Sequence, residues 1–530
     1  MKHVKQLLSA LLVLAVVLSL LPAGVLKASA AEAPAALDIG YPTFKNTELL
    51  DEVYDLSKLG VSYSEKDIMM AIYKQDLANG GDSFYMDRIL AREGVCSGNA
   101  GSNGNADGNT FLTRGRALYM YTSSPSVIGF GGNTAYHQPL GRGNLVRVLF
   151  SNADGSLTTK EDTSKRVNAP SNWSSTYSVG SNLTLDVVKF IHQENVAVTT
   201  MTLTNKSAED QAITVAADSI FATEPGKVTV NGAEQTELTG TCSSPAGLTT
   251  IYARMTGDGF EAASSDDYCW LSRDVTVPAG GSVEFKVVMA FTTEEIPEST
   301  EQYLRFAGLG NLEAVRAQKA EYNLYWAENL PYIDVPKKAV QKAIDYRWWL
   351  ERFNSLDANI PGYDYQYPVT IEGVLGYNNA IILTQPMHLQ DTKWLRSPYL
   401  AYGQLLSAGN SSQSSAFLDN PGNRNNWNNH YGQYLAEAGY EAFNVIGGGA
   451  ELAENLAYYF GHDATGQLEH YGNHIEGRDL IAYRNNYMTG NDADTISMHA
   501  PGTGTWKAHG ENAYVWAAAD AAAKLYEELG

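Results

Sequence analysis

Hydrophobic and polar positions alternate along most of the segment from residue 38 to residue 298. The runs 183–191, 196–203 and 283–291 are rich in Val, Thr, Ile and Phe, and this pattern is typical of β-strands. Clusters of Gly, Asn, Asp and Ser separate the runs, and 205–210 and 278–281 are predicted to form hairpin turns. Many strands without intervening helices predict an antiparallel β-sandwich over residues 38–298.

The pattern changes near residue 299, where a helical linker is predicted over 299–335. After Pro336, helical segments alternate with polar, Gly-rich loops. The predicted helices run approximately over 337–354, 377–385, 394–407, 427–439, 449–459 and 511–529. Sequence-local helices joined by loops favour a ring of helical hairpins over residues 336–530. A ring of six hairpins needs about twelve helices, so we expect the sequence to cover about the first half of an (α/α)6 toroid.

The first 31 residues have the pattern of a secretory signal peptide. Lys2 and Lys5 form a basic start, residues 7–21 are apolar, and Ala28-Ser29-Ala30 is a small-residue cleavage site. No later segment is long and apolar enough to span a bilayer. We therefore expect a secreted or cell-surface protein that has no membrane insertion once the signal is removed.

Charge and composition narrow the class of partner. The formal net charge of −22 disfavours nucleic acid and anionic membranes, whereas a neutral oligosaccharide or polysaccharide is compatible with it. Aromatic residues make up 11% of the chain, including 32 Tyr and 9 Trp. Their faces suit stacking on sugar rings, although most single aromatic residues serve core packing.

The three cysteines suggest no metal or redox chemistry. Cys96, Cys242 and Cys269 form no paired metal-binding motif, and neither a metal nor a cofactor is predicted. Cys242 and Cys269 both fall in the β-rich segment, where an oxidising compartment would allow them to form a disulfide.

Carboxyl and aromatic side chains are concentrated in three loops of the helical segment, at 359–373, 417–431 and 487–497. Apolar rings beside a carboxylate raise its pKa, so that it can hold a proton near neutral pH. Cleavage of a glycosidic bond needs such an acid, together with a second carboxylate that activates water or attacks directly. A single loop acid more often caps a helix or makes a turn, so it is the concentration of these residues that indicates chemistry.

The segment Thr489-Gly-Asn-Asp-Ala-Asp-Thr-Ile-Ser497 is followed by Glu511-Asn-Ala-Tyr and an Ala-rich helix. This arrangement resembles a signature of (α/α)6 glycosidases in glycoside hydrolase families 37 and 63, the trehalase and processing α-glucosidase group, and of the related mannosylglycerate-hydrolase-like domains. The resemblance covers about residues 330–530, and the β-rich segment is similar to the N-terminal supersandwich of these enzymes. It implies an inverting α-glycosidase acting on an α-glucoside- or α-mannoside-type oligosaccharide.

Carried over by position, the resemblance implies that Asp492 is the general acid. Asn491 stands where the family has Trp, and Asp494 is the alternative acid. The family's second carboxylate, a Glu acting as base, lies well downstream of the acid and is expected beyond Gly530. Substrate contacts are predicted for Trp348, Trp349, Tyr363, Asp364, Tyr365, Glu372, Trp427 and His430.

Other readings of the same residues stay open. Within the chain, Glu372, Asp364 or Glu437 would have to supply the second carboxylate. Another (α/α)6 enzyme, such as an α-L-rhamnosidase, a fucosidase or a lyase of uronic-acid polymers, would use the same architecture. A lyase needs a Tyr/His pair, which His430-Tyr431 provides, but the net charge disfavours an anionic substrate. A non-catalytic polysaccharide-binding surface protein would keep the aromatic loops and lack the base.

Overall fold

The computed structural model describes two compact units. The sandwich unit lies within residues 43–364 and 372–378, and the helical unit lies within 1–42, 365–371 and 379–530. The predicted signal peptide lies outside the described residues. The described residues are 33–40, 42–46, 69–70, 74, 77–81, 83, 110–114, 118–122, 127–136, 138–219, 228–230, 236–243, 250–265, 268–292, 298–331, 333, 335–357, 367–371, 380–412, 415–418, 430, 432–472, 480–483, 507–508 and 512–530.

The sandwich unit is built from strands that run through the predicted β-rich segment. In chain order they are β1 (Thr110–Arg114), β2 (Leu118–Thr122), β3 (Gly129–Tyr136), β4 (Gln138–Asn152), β5 (Gly155–Ser156), β6 (Thr159–Asn168), β7 (Trp173–Val179), β8 (Leu183–His192), β9 (Val196–Asn205), β10 (Gln211–Asp218), β11 (Val228–Val230), β12 (Glu237–Ser243), β13 (Thr250–Gly257), β14 (Glu261–Ser265), β15 (Tyr268–Val277) and β16 (Ser282–Thr292).

These strands form two eight-stranded antiparallel sheets, which confirms the predicted β-sandwich. The first sheet has the order β1-β2-β3-β4-β10-β15-β14, with β5 paired to β4. The second has the order β11-β12-β13-β16-β9-β8-β7-β6. Along β7, Trp173, Tyr177 and Val179 are buried and alternate with more exposed residues, as expected for a strand with one face on the core.

The two predicted hairpin turns are turns, but they do not close hairpins. Residues 206–210 lead from β9 in the second sheet to β10 in the first, and 278–281 lead from β15 in the first sheet to β16 in the second. Asn205 joins the two connections: its Nδ2 donates to the carbonyl oxygens of Glu209 (2.8 Å) and Val277 (3.1 Å). Packed sheets stand about 10 Å apart, so a short polar connection can also cross between them.

Two helices, α1 (Glu298–Gly308) and α2 (Asn311–Asn329), cover the outer face of the second sheet. Tyr303, Phe306 and Ala314 pack on apolar side chains that β8, β9 and β16 direct outward. Glu321 of α2 lies 2.6 Å from His192 Nε2 and 2.5 Å from an Arg305 nitrogen. Burial alone would raise the pKa of Glu321, but its bonds with these two side chains lower that pKa to about 2.

Helix α3 (Lys338–Asn354) also belongs to the sandwich unit. The Arg352 guanidinium lies 3.8 Å from the ring centroid of Tyr322 and 3.9 Å from that of Tyr325, and it donates to the Tyr322 carbonyl at 2.9 Å. Cation–π contacts therefore join α3 to α2. The short strand β17 (Ser355–Leu356) follows α3.

The helical unit contains five of the described helices. They are α4 (Gln385–Thr392), α5 (Tyr399–Ser412), α6 (Leu435–Ile446), α7 (Gly449–Tyr471) and α8 (Asn512–Leu529), together with the two-residue strands β18 (Val369–Thr370), β19 (Ala482–Tyr483) and β20 (Lys507–Ala508). Among the described residues, no helix has the length and apolar character needed to cross a membrane. The closed ring of hairpins stays a prediction.

The helix predicted over 377–385 is misplaced: the described residues 380–384 are not helical, and α4 begins at Gln385. Pro386 occupies its first turn, the one part of a helix that tolerates a residue without a backbone N–H. The helices predicted from residues 394 and 427 likewise begin later, at Tyr399 and Leu435.

Glycines allow close packing of the helical unit. A Cβ added at Gly409 of α5 would lie 2.2 Å from the ring of Tyr459. A Cβ added at Gly466 of α7 would lie 2.2 Å from the backbone nitrogen of Ala416. The chain segment at Ala416 therefore lies directly against α7 because residue 466 has no side chain.

We expect Gly466→Ala to lower the unfolding free energy by about 1–3 kcal/mol, the usual cost of overpacking. Helix propensity alone would change the unfolding free energy in the opposite direction, because it favours Ala over Gly by about 1 kcal/mol. Urea denaturation followed by circular dichroism measures the change. Gly308→Ala is the control, because no atom lies within 4 Å of a Cβ added there. Equal effects of the two substitutions would contradict the packing argument.

Candidate functional site

One face of α7 collects polar side chains that bind other parts of the helical unit. Asp463, Gly466, Gln467 and His470 follow one another at spacings of three, one and three residues, which places them on the same side of a helix. The connection between α5 and α6 (413–434) contains the predicted site residues Trp427 and His430. The connection between α7 and α8 (472–511) contains Asp492 and Asp494.

Asp463 is the carboxyl group among these residues, and it is buried, with 2% of its surface exposed. Its Oδ1 accepts a hydrogen bond from the Phe417 backbone N–H at 2.8 Å, and its Oδ2 accepts one from Gln433 Nε2 at 3.0 Å. The Gln467 side chain also donates to it. Burial raises the pKa of Asp463 to about 6, even though the three hydrogen bonds favour the carboxylate.

Two glutamines extend this network to further segments. Gln433 Oε1 accepts from the backbone N–H of Leu435, the first residue of α6, at 2.5 Å. Gln467 Oε1 accepts from the hydroxyl of Tyr483 in β19 at 3.4 Å. Asp463 is thus connected to both ends of the α5–α6 connection and to the early part of the α7–α8 connection.

At the end of α7, two histidines and two tyrosines are in contact. His430 Nδ1 lies 3.3 Å from the Tyr471 hydroxyl, and the His430 and His470 ring centroids are 4.6 Å apart. His470 Nε2 lies 3.3 Å from Ser415 Oγ, and the Tyr471 and Tyr483 rings meet edge to face at 4.9 Å. Burial and the neighbouring His470 lower the pKa of His430 to about 4, so this imidazole is neutral at neutral pH.

We name the residues Asp463, Gln467, His470, Tyr471, His430, Gln433 and Tyr483 the α7 cluster. It combines a carboxyl group, neutral imidazole and phenol hydroxyls with aromatic faces. Such groups can donate and accept hydrogen bonds with a polyol.

The α7–α8 connection is held at both ends. β19 pairs with β20 through Ala482–Ala508 and Tyr483–Lys507. Asn512 of α8 accepts from the backbone N–H of Ile481 at 2.8 Å and donates to its carbonyl oxygen at 3.1 Å. The segment 484–506 is therefore bounded by described residues that are joined to each other, and Asp492 and Asp494 fall within it, outside the described residues.

Four of the predicted site residues are described. Glu437, one of the alternatives for the base, is exposed in the first turn of α6. His430 belongs to the α7 cluster. Trp348 and Trp349 lie on α3 in the sandwich unit and are buried; the Trp349 ring packs between Tyr346 at 5.7 Å and Phe353 at 5.4 Å. The predicted residues outside the described part of the chain are Tyr363, Asp364, Tyr365, Glu372, Trp427, Asp492 and Asp494.

Sequence reasoning missed two carboxyl groups. Asp463 has a recognisable signal, because Asp463, Gln467 and His470 recur at helical spacing along the sequence of α7. Asp345 on α3 precedes Trp348 and Trp349 by three and four residues, which is neighbouring spacing on a helix. Burial raises the pKa of Asp345 to about 7, with Lys338 acting in the opposite direction. A carboxyl group near aromatic side chains was predicted for the three loops, and it also occurs here on a helix.

The disulfide that an oxidising compartment would allow between Cys242 and Cys269 is not formed in this structure, where Cys269 is a free thiol. The two residues lie on β12 and β15, which belong to different sheets. Within the described ranges, no group of three or more His, Cys, Asp or Glu residues is placed to hold a metal ion.

The pKa of Asp463 predicts a pH-dependent contribution to stability. Because the folded pKa of about 6 lies above the ordinary value of 3.8, the folded state binds more protons between these values. The contribution of Asp463 to the unfolding free energy is fully present below about pH 4. It is lost as the pH rises through 6, and the total loss is about 3 kcal/mol. We expect the unfolding free energy of the wild type relative to Asp463→Asn to fall over this window. Parallel pH profiles of the two proteins would contradict the assignment.

No protein-family model matches the sequence. Among solved structures, the chain is similar to a putative kojibiose phosphorylase from the human microbiome, with 11% identity over 60% of this chain and 49% of that chain and a TM-score of 0.41. It is similar to a family GH92 inverting mannosidase from Bacteroides thetaiotaomicron, with 14% identity, coverage of 70% and 52%, and a TM-score of 0.40. A family GH92 α-mannosidase from the same organism has 10% identity, coverage of 72% and 57%, and a TM-score of 0.38. The chain spans about half the length of the first two structures.

Proposed function

We propose that this protein is a secreted glycoside hydrolase that cleaves α-glucoside- or α-mannoside-type oligosaccharides with inversion of configuration. The observation that carries the proposal is that the described ends of both candidate loops bind one end of α7. The loop with Trp427 and His430 is bound to Asp463 through Phe417 and Gln433. The segment with Asp492 follows Tyr483, whose hydroxyl donates to Gln467. The sequence resemblance around Asp492 supports the proposed chemistry.

In this mechanism Asp492 protonates the leaving oxygen of the glycosidic bond. A second carboxylate activates a water molecule on the opposite face of the sugar, with about 6.5–9.5 Å between the two carboxyl groups. Glu372, Asp364 and Glu437 are the alternatives for this base in the chain. Neutral His430 and the Tyr471 hydroxyl hydrogen-bond to sugar hydroxyls, and Trp427 stacks on the ring.

The proposal is tested with the protein expressed from its complete native gene. We expect it to hydrolyse α-linked glucobioses or mannobioses, and proton NMR of the first minutes of reaction should show the β-anomer before mutarotation. Initial appearance of the α-anomer would contradict inversion. Binding of the same sugars, seen by calorimetry, without any product would favour the non-catalytic polysaccharide-binding protein.

A polysaccharide lyase is the second candidate, and one observation favours it. The sequence suggested His430 and Tyr431 as the Tyr/His pair, whereas the structure brings His430 Nδ1 within 3.3 Å of the Tyr471 hydroxyl. Such a pair can remove the proton beside a uronate carboxylate and protonate the leaving oxygen. The net charge of −22 opposes a polyanionic substrate. An ultraviolet-absorbing unsaturated product from a uronic-acid polymer would decide for the lyase and against the hydrolase.

A further inference from the structure

Asp463 is a buried carboxyl group to which the proposed reaction gives no role. A buried carboxylate is costly unless its oxygens are hydrogen-bonded, so its partners reveal what it stabilises. Its described partners are Phe417 and Gln433 from the α5–α6 connection and Gln467 from its own helix. Phe417 and Gln433 lie 46 and 30 residues away in the sequence.

The two distant partners flank residues 418–432, the part of the α5–α6 connection that contains Trp427 and His430. Phe417 donates its backbone N–H, and Gln433 also fixes the first residue of α6 through its Oε1. One carboxylate therefore holds together the two ends of this loop. The packing of Ala416 against Gly466 brings the segment close enough for the bond to form.

The second candidate loop is linked to the same carboxylate through one intermediate side chain. Gln467 donates to Asp463 and accepts from the Tyr483 hydroxyl at 3.4 Å. The Tyr483 ring also packs on Tyr471 at 4.9 Å. Residue 483 is the last described residue before the segment that contains Asp492.

We propose that Asp463 is a positioning residue that sets the mutual geometry of Phe417, Gln433 and Tyr483, the described residues that flank the loop 418–432 and precede the segment 484–506. This inference rests on the proposed function for its effect on catalysis, but the positioning itself is measurable without a substrate. Asp463 touches neither substrate nor reacting atoms; it acts through Phe417, Gln433, Gln467 and Tyr483.

The test uses a substitution with a matched repair. In Asp463→Asn, the amide oxygen still accepts from the Phe417 N–H, so the new NH2 group faces the NH2 group of Gln433 and two donors meet. If the Gln433 amide rotates to avoid this, its NH2 group faces the Leu435 N–H, and two donors meet there instead. In the double variant Asp463→Asn with Gln433→Glu, the carboxylate at residue 433 accepts from both groups. The double variant thus preserves the charge and restores the donor and acceptor pattern among Phe417, residue 463, residue 433 and Leu435.

We expect hydrogen exchange in the peptides covering 418–432 and 484–506 to be about tenfold faster in Asp463→Asn, since losing one partner of a buried pair destabilises what it holds. The double variant should return to within about threefold of the wild type. Where glycoside hydrolysis is observed, kcat should fall by about 10–100-fold with a smaller change in KM, and the repair should recover it.

Asn455→Ala is the control for a general loss of stability in α7. Asn455 is buried on the same helix, and its Nδ2 donates to the Glu451 carbonyl oxygen at 2.9 Å within that helix. Its substitution should leave exchange in the two loop peptides as slow as in the wild type. Uniformly faster exchange across the helical unit in Asp463→Asn, or no recovery in the double variant, would overturn the proposal. If the wild type hydrolyses no glycoside, the exchange results still decide the positioning role, while the proposed function fails separately.

Discussion

Replacing Asp492 by Asn is expected to lower kcat for hydrolysis of an α-linked disaccharide by about 10²–10⁴-fold, the usual contribution of a general acid. Asn has the same size as a protonated Asp and, like it, has a donor and an acceptor group, but it has no acidic proton to transfer to the leaving oxygen. The unfolding free energy should change by no more than about 0.5 kcal/mol, because the two side chains have the same size. Steady-state kinetics and urea denaturation on the same preparation measure both quantities.

The leaving group distinguishes a lost acid from a displaced loop. A dinitrophenyl glycoside has a leaving group that departs without protonation, so Asp492→Asn should retain most of its activity on this substrate. Asp494→Asn is the matched control, and we expect it to change kcat by less than about tenfold on either substrate. If Asp494→Asn shows the leaving-group dependence instead, Asp494 is the acid. If neither variant loses activity, the resemblance at 489–497 has misassigned the proton donor.

Strand positions in the sandwich could be predicted because alternation is a local property. The runs 183–191, 196–203 and 283–291 lie within β8, β9 and β16 almost to the residue. Which sheet receives each strand is not local information. A turn at 206–210 has the same composition whether β10 pairs with β9 or crosses to the other sheet, and only the burial of both inner faces decides it.

Helix α7 shows why the site was harder to predict than the fold. Its predicted end was residue 459, but the helix continues to Tyr471. The intervening Gly461, Asp463 and Gly466 are poor helix formers, so sequence propensity argues against extension. Hydrogen bonds to Asp463 from distant segments and the contact of Ala416 with Gly466 offset that cost. The residues that obscured the end of the helix are those that build the α7 cluster.

The partners of a buried polar residue are difficult to read from sequence for the same reason. Nothing near Asp463 in the chain identifies Phe417 or Gln433 as its partners, since the bond to Phe417 uses a backbone N–H that every residue but proline has. His430, by contrast, could be selected from its loop of aromatic and amide residues. Its place beside His470 and Tyr471 depends on the length of α7, which the sequence pattern did not show.

Lys189 of β8 is expected to make the unfolding free energy depend strongly on pH. Its side chain is buried in the sandwich, where Nζ donates to the carbonyl oxygens of Val127 and Gly129, both at 2.7 Å, and lies 4.1 Å from the Trp173 ring centroid. Burial lowers the pKa of Lys189 to about 7; the charge of Glu161 acts in the opposite direction and that of Arg166 lowers the pKa further, both with smaller effects. The ordinary value of 10.5 applies to the unfolded chain, so the unfolded state binds more protons between pH 7 and pH 10.5.

The unfolding free energy of the wild type relative to Lys189→Met should therefore rise with pH, by about 1.4 kcal/mol per unit and about 3 kcal/mol between pH 7 and pH 9. Below pH 7 the difference should be flat, because both states of the wild type then carry the proton. Met keeps the length of the apolar stem and removes the titrating group. Lys206→Met, at an exposed turn residue, is the control and should follow the wild-type profile. Parallel profiles for Lys189→Met and the wild type would show that the buried amine keeps its proton through this range, held by the two carbonyl oxygens and the Trp173 ring.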